Sequence, residues 1–149
     1  MKTILAIDPG SEQSAFLIWE NNEIIDKDII KNDWIITLLK NIDDEDIVLV
    51  IEMFASYGMP VGRTVFETCV WIGRFIQTWE GKHELVYRKD IKMHLCHTVR
   101  AKDSNVRQAL IDKYGKPGTK KEPGFTYGVS KDIWSALAIA TYYNERGAL

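Results

Sequence analysis

Two short, mostly hydrophobic runs each end in a single acid. Thr3 to Ile7 is followed by Asp8 and then by the turn residues Pro9-Gly10-Ser11, which predicts a buried strand and a break in the chain. Ile47 to Ile51 is hydrophobic at every position and ends at Glu52, as expected of a strand that helices cover on both faces. The pattern therefore predicts two buried strands that each carry one carboxylate at the carboxyl end.

Three further segments have the composition of strands. Ser14 to Glu20 and Glu23 to Ile30 are rich in β-forming residues, and Asn21-Asn22 between them suits a tight hairpin turn because asparagine tolerates positive φ. Together with the first strand they predict a three-stranded antiparallel meander. Glu84 to Tyr87 predicts a short fifth strand.

Helical periodicity predicts the remaining elements. Asp33 is expected to cap a helix that ends before the acidic run Asp43 to Asp46, and the apolar side of that helix carries Trp34, Leu38 and Leu39. The later predicted elements are helices over Lys89 to Leu95, Ser104 to Tyr114 and Ser130 to about Asn144, and a mobile basic loop over Gly115 to Gly128.

The helix predicted from about Gly62 to Trp79 has a wide apolar stripe. Its apolar positions are Val65, Cys69, Ile72, Ile76 and Trp79 on one face, with Phe66, Val70 and Phe75 beside it. Such a stripe is expected of a helix that is buried on two sides. Two interpretations are open: the second side contacts another subunit, or the helix lies deep in the core of one chain.

The predicted elements form a mixed sheet with helices on its faces, in one domain over residues 1–149. Parallel pairing of the first and fourth strands places Asp8 and Glu52 side by side at the edge where open α/β sheets bind ligands. Adjacent buried carboxylates repel each other unless a proton or a cation intervenes, and magnesium prefers such oxygen ligands. A third acid, Asp132, lies at the start of the last predicted helix, where Ala136 and Ala140 allow close approach to the sheet. The other interpretation of Asp132 is an acid that stabilises the helix dipole.

Composition and charge narrow the class of protein. With 149 residues, of which 46% are hydrophobic and 27% charged, the chain is expected to fold as a globular domain. The net charge of −2 conceals a segment from Lys82 to Lys131 with 12 basic and 5 acidic residues, which suits a polyanion or, alternatively, a solvated surface of mixed charge. Cys69 and Cys96 do not form a disulfide framework, and no run is long enough for a signal peptide or a membrane span. A cytoplasmic protein without membrane association is expected.

Three motifs in this order resemble one family. Ile7-Asp8-Pro9-Gly10-Ser11 closes the first strand, Ile51-Glu52-Met53-Phe54 closes the fourth, and Asp132 opens the motif Asp-x-x-Ser-Ala-Leu-Ala-Ile-Ala. Together they resemble the RuvC-like Holliday-junction resolvases of the RNase H fold. The short chain looks most like the phage versions, which implies a bacterium or a phage-infected cell. Supporting similarities lie at Gly73-Arg74, Tyr87 to Lys92 and Ala101 to Val106.

The resemblance implies the fold and the chemistry. It implies an RNase H-like mixed five-stranded sheet, a three-stranded meander plus parallel strands, with helices on both faces. Asp8, Glu52 and Asp132 would be catalytic and would hold two magnesium or manganese ions per subunit at the scissile phosphate of branched DNA, above all four-way junctions. A homodimer is also implied, because its two-fold axis would match that of the junction.

One position departs from the family pattern. Ser135 stands three residues after Asp132, where the family usually has another acid. Its hydroxyl can support a metal-bound water but adds no charge, so a second ion would bind more weakly; Asp103 and Asp90 are conceivable substitutes. The missing acid also permits a non-catalytic protein that binds branched DNA, and a nuclease of the same fold that processes RNA is a further alternative.

Aromatic and basic residues supply the expected DNA contacts. Phe54 and Tyr57 follow Glu52 in the chain, where the family has an aromatic that wedges into the junction centre; a loop aromatic folded onto the core is the alternative. The basic residues expected to bind nucleic acid are Lys89, Arg100, Lys102, Arg107, Lys120 and Lys121. His94-x-Cys96-His97 has no second ligand pair, so we interpret it as core or surface residues rather than a zinc site.

Overall fold

The chain folds around one mixed sheet. A computed structural model describes residues 2–43 and 45–146. Within them the strands are β1 (Thr3–Asp8), β2 (Gln13–Glu20), β3 (Glu23–Lys31), β4 (Ile47–Met53) and β5 (His83–Tyr87). The helices are α1 (Asn32–Asn41), α2 (Arg63–Thr78), α3 (Arg88–Cys96), α4 (Asp103–Tyr114) and α5 (Ile133–Arg146). None of these helices is long and apolar enough to cross a membrane.

The sheet has the strand order β3-β2-β1-β4-β5. The first three strands form an antiparallel meander, whereas β1 pairs parallel with β4 and β4 pairs parallel with β5. Asn21 and Asn22 form the turn between β2 and β3 with positive φ angles of 53° and 61°. The predicted RNase H-like mixed sheet is confirmed.

β3 lies at one edge of the sheet and carries alternating charges. The main-chain N–H groups of Lys27 and Ile29 donate to the carboxylates of Asp26 and Asp28 at 2.8 Å and 2.7 Å. Two donors of this edge strand are therefore satisfied by side chains of the strand itself.

Alternate strand residues project to opposite faces of the sheet, and each face has its own helices. Ile7 packs in a layer with α1 and α2, whereas Ala6 and Val50 pack in a layer with α3, α4 and α5. The prediction of helices on both faces is therefore confirmed. Because Asp8 and Glu52 lie two residues after Ala6 and Val50, their side chains leave the sheet on the α5 face.

α1 begins earlier than predicted and buries a different side. Its N-cap residue is Lys31 and its first residue is Asn32, whose side chain is fully buried. The prediction that Asp33 caps the helix is therefore wrong, because Asp33 lies in the first turn. The buried face continues through Ile35 and Leu39, while Trp34 is exposed. The prediction that Trp34 faces the core is wrong, because the buried Asn32 sets the rotation of the helix.

α2 packs against the sheet on one side only. Thr68, Ile72 and Phe75 are buried, whereas Phe66 and Val70 are 60% and 64% exposed. The interpretation of α2 as a deep core helix is therefore wrong, since the sheet covers only one of its two apolar sides. Contact of the other side with a second subunit stays a prediction.

α5 begins at Ile133 rather than at Ser130. Lys131 has a φ of 48°, in the left-handed region that a right-handed helix excludes, so Asp132 precedes the helix instead of lying in its first turn. Ala136 and Ala140 are fully buried, and their small side chains let α5 lie close to β1 and β2.

The segment 115–128 is folded against the rest of the chain. Phe125 stacks on Tyr114 with 4.4 Å between ring centroids and meets the edge of Trp19 at 5.8 Å. The side chain of Thr126 is fully buried. The prediction of a mobile loop is wrong, because aromatic contacts with distant residues anchor a segment whose glycines and prolines suggest freedom.

Candidate active site

The candidate active site lies where β1 and β4 end. Ile7 pairs with Ile51 in parallel register, so Asp8 and Glu52 follow side by side. Together with Asp132 they line an open pocket of about 500 Å³. The structure thus brings the three predicted carboxylates to one place.

A buried asparagine holds the turn that follows β1. Asn32 Oδ1 accepts a hydrogen bond from Ser14 Oγ at 2.6 Å, and Asn32 Nδ2 donates to the Gly10 carbonyl at 2.8 Å. A Cβ at Gly10 would lie 2.3 Å from the carbonyl oxygen of Gln13, so the close approach requires glycine. These contacts fix the chain immediately beyond Asp8.

Asp132 reaches the pocket from the turn that precedes α5. Its carbonyl accepts a hydrogen bond from the Ala136 N–H at 3.1 Å, which ties the turn to the helix. The left-handed conformation of Lys131 directs the chain into α5, and the close packing of α5 on β1 brings Asp132 to the strand ends. Helix packing and one unusual backbone angle therefore complete the carboxylate set.

The charge of Asp8 is poorly compensated. Burial, followed by the charges of Glu52 and Asp132, raises the pKa of Asp8 from the usual 3.8 to about 8, although Arg88 acts in the opposite direction. Within the part of the chain that the structure describes, no donor forms a hydrogen bond with the Asp8 carboxylate. The pocket therefore favours a proton or an added cation at Asp8.

Arg88, which sequence reasoning missed, lies in the same pocket. It is the first residue of α3, and its Nε and Nη2 each donate to the Glu52 carboxylate at 3.3 Å, while Nη1 donates to Asp103 at 2.9 Å. Burial opposes the charge of Arg88, but Glu52, Asp103 and Asp8 outweigh it and raise the pKa of the guanidinium. Arg88 falls within the segment Tyr87 to Lys92, which supported the resemblance, and directly follows the predicted fifth strand, but the sequence analysis assigned it no role.

The pocket contains side chains of the kind that bind magnesium. Carboxylate oxygens are the ligands that Mg²⁺ and Mn²⁺ prefer, and the Asp8 carboxylate faces the pocket without a donor. Among residues 2–43 and 45–146, however, no three His, Cys, Asp or Glu side chains are grouped so that they could hold a metal ion. The three carboxylates are thus of the right chemical type for a divalent cation, but Glu52 is paired with Arg88 in this arrangement. Binding of one or two ions stays a prediction.

Ser135 and Asp103 border the pocket. Both line a crevice beside Glu52. Asp103 contributes to the raised pKa of Asp8, so its charge reaches the site. Asp90 is exposed on the first turn of α3 and lines neither the pocket nor the crevice. Of the two conceivable substitutes for a fourth acid, Asp103 is therefore the nearer.

The predicted aromatic residues lie at the mouth of the pocket. Phe54 and Tyr57 both line it and are both exposed, so neither is folded onto the core. The Nζ atom of Lys89 lies 5.5 Å from the centroid of the Tyr57 ring. An aromatic pair with an adjacent positive charge therefore faces whatever enters the pocket.

Three other predicted phosphate contacts lie in α4 or immediately before it. Arg107 lines a cleft with Asp132 and packs its guanidinium over Trp134. Lys102 is the N-cap residue of α4, and Arg100 is exposed two residues earlier. Their binding to nucleic acid stays a prediction.

The remaining two predicted contacts, Lys120 and Lys121, are not brought to the pocket. Their segment packs through Phe125 on Trp19, at the opposite end of the β1–β2 pair from Asp8. Any phosphate they bind would lie well away from the carboxylates.

His94 belongs to a different cluster. Its Nε2 lies 2.7 Å from Glu145, and Lys113 Nζ lies 2.6 Å from the other oxygen of that carboxylate. Burial would raise the pKa of Glu145, but Lys113 and His94 outweigh burial and lower it. The histidine thus has a hydrogen-bond partner in Glu145, and its interpretation as a core or surface residue rather than a zinc ligand stays a prediction.

The sheet order and the helices on its two faces define a RuvC-like fold of the RNase H type. Among solved structures, the chain is similar to RuvC from Thermus thermophilus, with a TM-score of 0.68 and 13% identity over 98% of this chain and 97% of that one. It is also similar to T. thermophilus RuvC in complex with a Holliday junction substrate, with a TM-score of 0.63 and 13% identity over 99% and 97% of the two chains. No family model and no curated protein sequence matches the chain. The likeness therefore establishes the fold, and a phage origin stays a prediction.

Proposed function

We propose that this protein is a metal-dependent endonuclease that nicks branched DNA, above all four-way junctions. The observation that carries the proposal is the convergence of Asp8, Glu52 and Asp132 on one pocket with Phe54 and Tyr57 at its mouth. Carboxylates so placed can bind divalent cations, which in turn contact a phosphate. Similarity of fold to a RuvC solved with a Holliday junction supports the choice of substrate.

The pocket residues have distinct parts in such a reaction. Asp8, Glu52 and Asp132 would supply the oxygen ligands of magnesium or manganese ions, two per subunit. When bound, such ions would supply the positive charge that activates a water molecule and stabilises the departing 3′ oxygen. Asp8 must release its proton before it can act as a ligand, because its pKa is about 8. The Ser135 hydroxyl would orient a water at the edge of the site.

Two exposed features would contribute to junction binding: the aromatic residues at the mouth of the pocket and the exposed apolar side of α2. Phe54 or Tyr57 would stack on an unpaired base, which is worth about 1 to 3 kcal/mol. Phe66 and Val70 would meet the same side of a second copy. The resulting homodimer would present two equivalent pockets to a two-fold symmetric junction.

The direct test is incubation with an end-labelled four-way junction in Mg²⁺, in Mn²⁺ and in EDTA. Paired nicks related by the symmetry of the junction are expected with either cation, and none with EDTA. A linear duplex of the same sequence should stay intact. Cleavage of precursor ribosomal RNA without nicking of the junction would favour the RNA-processing alternative.

Junction binding is expected to weaken steeply as salt rises. Each phosphate that a lysine or arginine neutralises releases a counterion, so two or more contacts should lower the affinity by at least about tenfold between about 50 and 200 mM salt. Fluorescence anisotropy in EDTA would measure this, with Lys89→Gln expected to reduce the slope and Lys120→Gln to leave it nearly unchanged. A response close to zero would argue against the basic surface.

A non-catalytic junction-binding protein is the second candidate. The ion pair between Arg88 and Glu52 favours it, since that carboxylate already has a cationic partner. Such a protein would bind junctions equally well in EDTA and in Mg²⁺ and would leave the strands intact.

A further inference from the structure

Arg88 stands between an inner and an outer carboxylate. Glu52 is only 8% exposed, and within the described residues Arg88 alone donates hydrogen bonds to its side chain. Asp103, the second partner of Arg88, has a side chain that is 78% exposed at the rim. One guanidinium therefore bridges a carboxylate of the pocket and a carboxylate in contact with solvent.

The surroundings of Arg88 allow its side chain to leave Glu52. Its main chain is fixed, because Tyr87 pairs with Met53 in the sheet and Arg88 begins α3. The side chain, by contrast, is 40% exposed and lines both the carboxylate pocket and the neighbouring crevice. Rotation of its flexible stem can withdraw the guanidinium from Glu52 while the contact with Asp103 is kept.

Charge explains why the position needs a cation. Without Arg88, the charge of the buried Glu52 would lose its ion-pair partner beside Asp132, and ionisation of Asp8 would become still less favourable. A guanidinium supplies one positive charge, whereas a divalent ion supplies two at shorter distance from the oxygens. The two cations therefore compete for the same carboxylate.

The geometry points to Arg88 as a displaceable counter-ion. Arg88 holds Glu52 while no divalent cation is bound, lowers the affinity of the pocket for that cation, and retains Asp103 as its partner once the cation has taken Glu52. The inference rests on the proposed function only in that the cation site includes Glu52.

The test is calorimetric titration of Mn²⁺ into the full-length protein. Arg88→Met is expected to raise the Mn²⁺ affinity about tenfold and to lower the melting temperature in EDTA, because Glu52 loses its partner. Arg88→Lys, which keeps the charge but not the forked geometry, should give a smaller gain and serves if the methionine variant does not fold. Lys92→Met, which removes a charge from the same crevice without touching the ion pair, should change the affinity by less than about twofold.

A second titration isolates the carboxylate. In a Glu52→Gln background, Arg88→Met should produce no gain in Mn²⁺ affinity, because position 52 no longer carries a carboxylate for which Arg88 and the cation could compete. Equal or weaker Mn²⁺ binding by both Arg88 variants, including no binding by any form, would overturn the inference. A gain in affinity without nicking by any form would refute the nuclease proposal alone, whereas nicking by the wild type without the gain would refute the role of Arg88 alone.

Discussion

Asp8→Asn and Glu52→Gln are each expected to reduce nicking of a four-way junction by about a thousandfold or more. Both substitutions keep the shape of the side chain and remove the negative charge that would hold a divalent cation beside the phosphate, a contribution of several kcal/mol to the barrier. Junction binding in EDTA should stay within about twofold of wild type, because phosphate and base contacts do not depend on these charges. Quantitative nicking assays and anisotropy on the same preparations measure both effects.

A matched control separates this effect from a general change of charge. Asp112→Asn neutralises a carboxylate on the exposed side of α4, where it accepts a hydrogen bond from Gln108, and should nick at the wild-type rate. Retained nicking by Asp8→Asn or by Glu52→Gln would contradict the assignment. Loss of junction binding together with nicking would instead give these carboxylates a part in the fold.

Stability without divalent cations is expected to fall as pH rises from about 4 to about 8. The Asp8 carboxyl has a pKa of about 8 in the folded state and an ordinary value of 3.8, so in this window the folded state holds a proton that the unfolded state has lost. Ionisation of Asp8 therefore lowers the free energy of unfolding progressively through this pH window. Above about pH 8 the destabilisation is complete. Asp8→Asn removes the charge and should raise the free energy of unfolding by up to about 5 kcal/mol near pH 8, with little change near pH 4.

Urea denaturation in EDTA at several pH values measures this prediction. Glu52→Gln is the informative comparison, because it also removes a carboxylate from the pocket but leaves Arg88 without its inner partner, so it should not stabilise the protein at pH 8. Mn²⁺ should stabilise the wild type near pH 8 more than Asp8→Asn. An Asp8→Asn variant no more stable than wild type at pH 8 would show that the charge of Asp8 is already compensated.

The sheet and the two acids at its central strands were predictable because buried strands have recognisable runs of hydrophobic residues in the sequence. Uninterrupted hydrophobic runs predicted β1 and β4, and a single acid after each run predicted Asp8 and Glu52 at neighbouring strand ends. Asn21-Asn22 predicted its turn for a similarly local reason, the tolerance of asparagine for positive φ.

Features set by distant partners were not predictable. Arg88 and Glu52 are 36 residues apart, and Asn32 and Ser14 are 18 apart, so only the register of the folded sheet brings each pair together. The exposure of Trp34 follows from the burial of Asn32. The late start of α5 follows from one backbone angle at Lys131, a residue whose type gives no sign of it.

The self-bonded edge of β3 restricts how copies of this chain can associate. An incoming strand would have to displace Asp26 and Asp28 from the main-chain N–H groups of Lys27 and Ile29 and then place its own residues against a row of alternating charges. Continuous intermolecular sheets, the first step of fibril growth, are disfavoured at this border. Addition of a strand from another copy should accordingly be unfavourable at the β3 edge, even though the sheet itself is rich in isoleucine, leucine and valine.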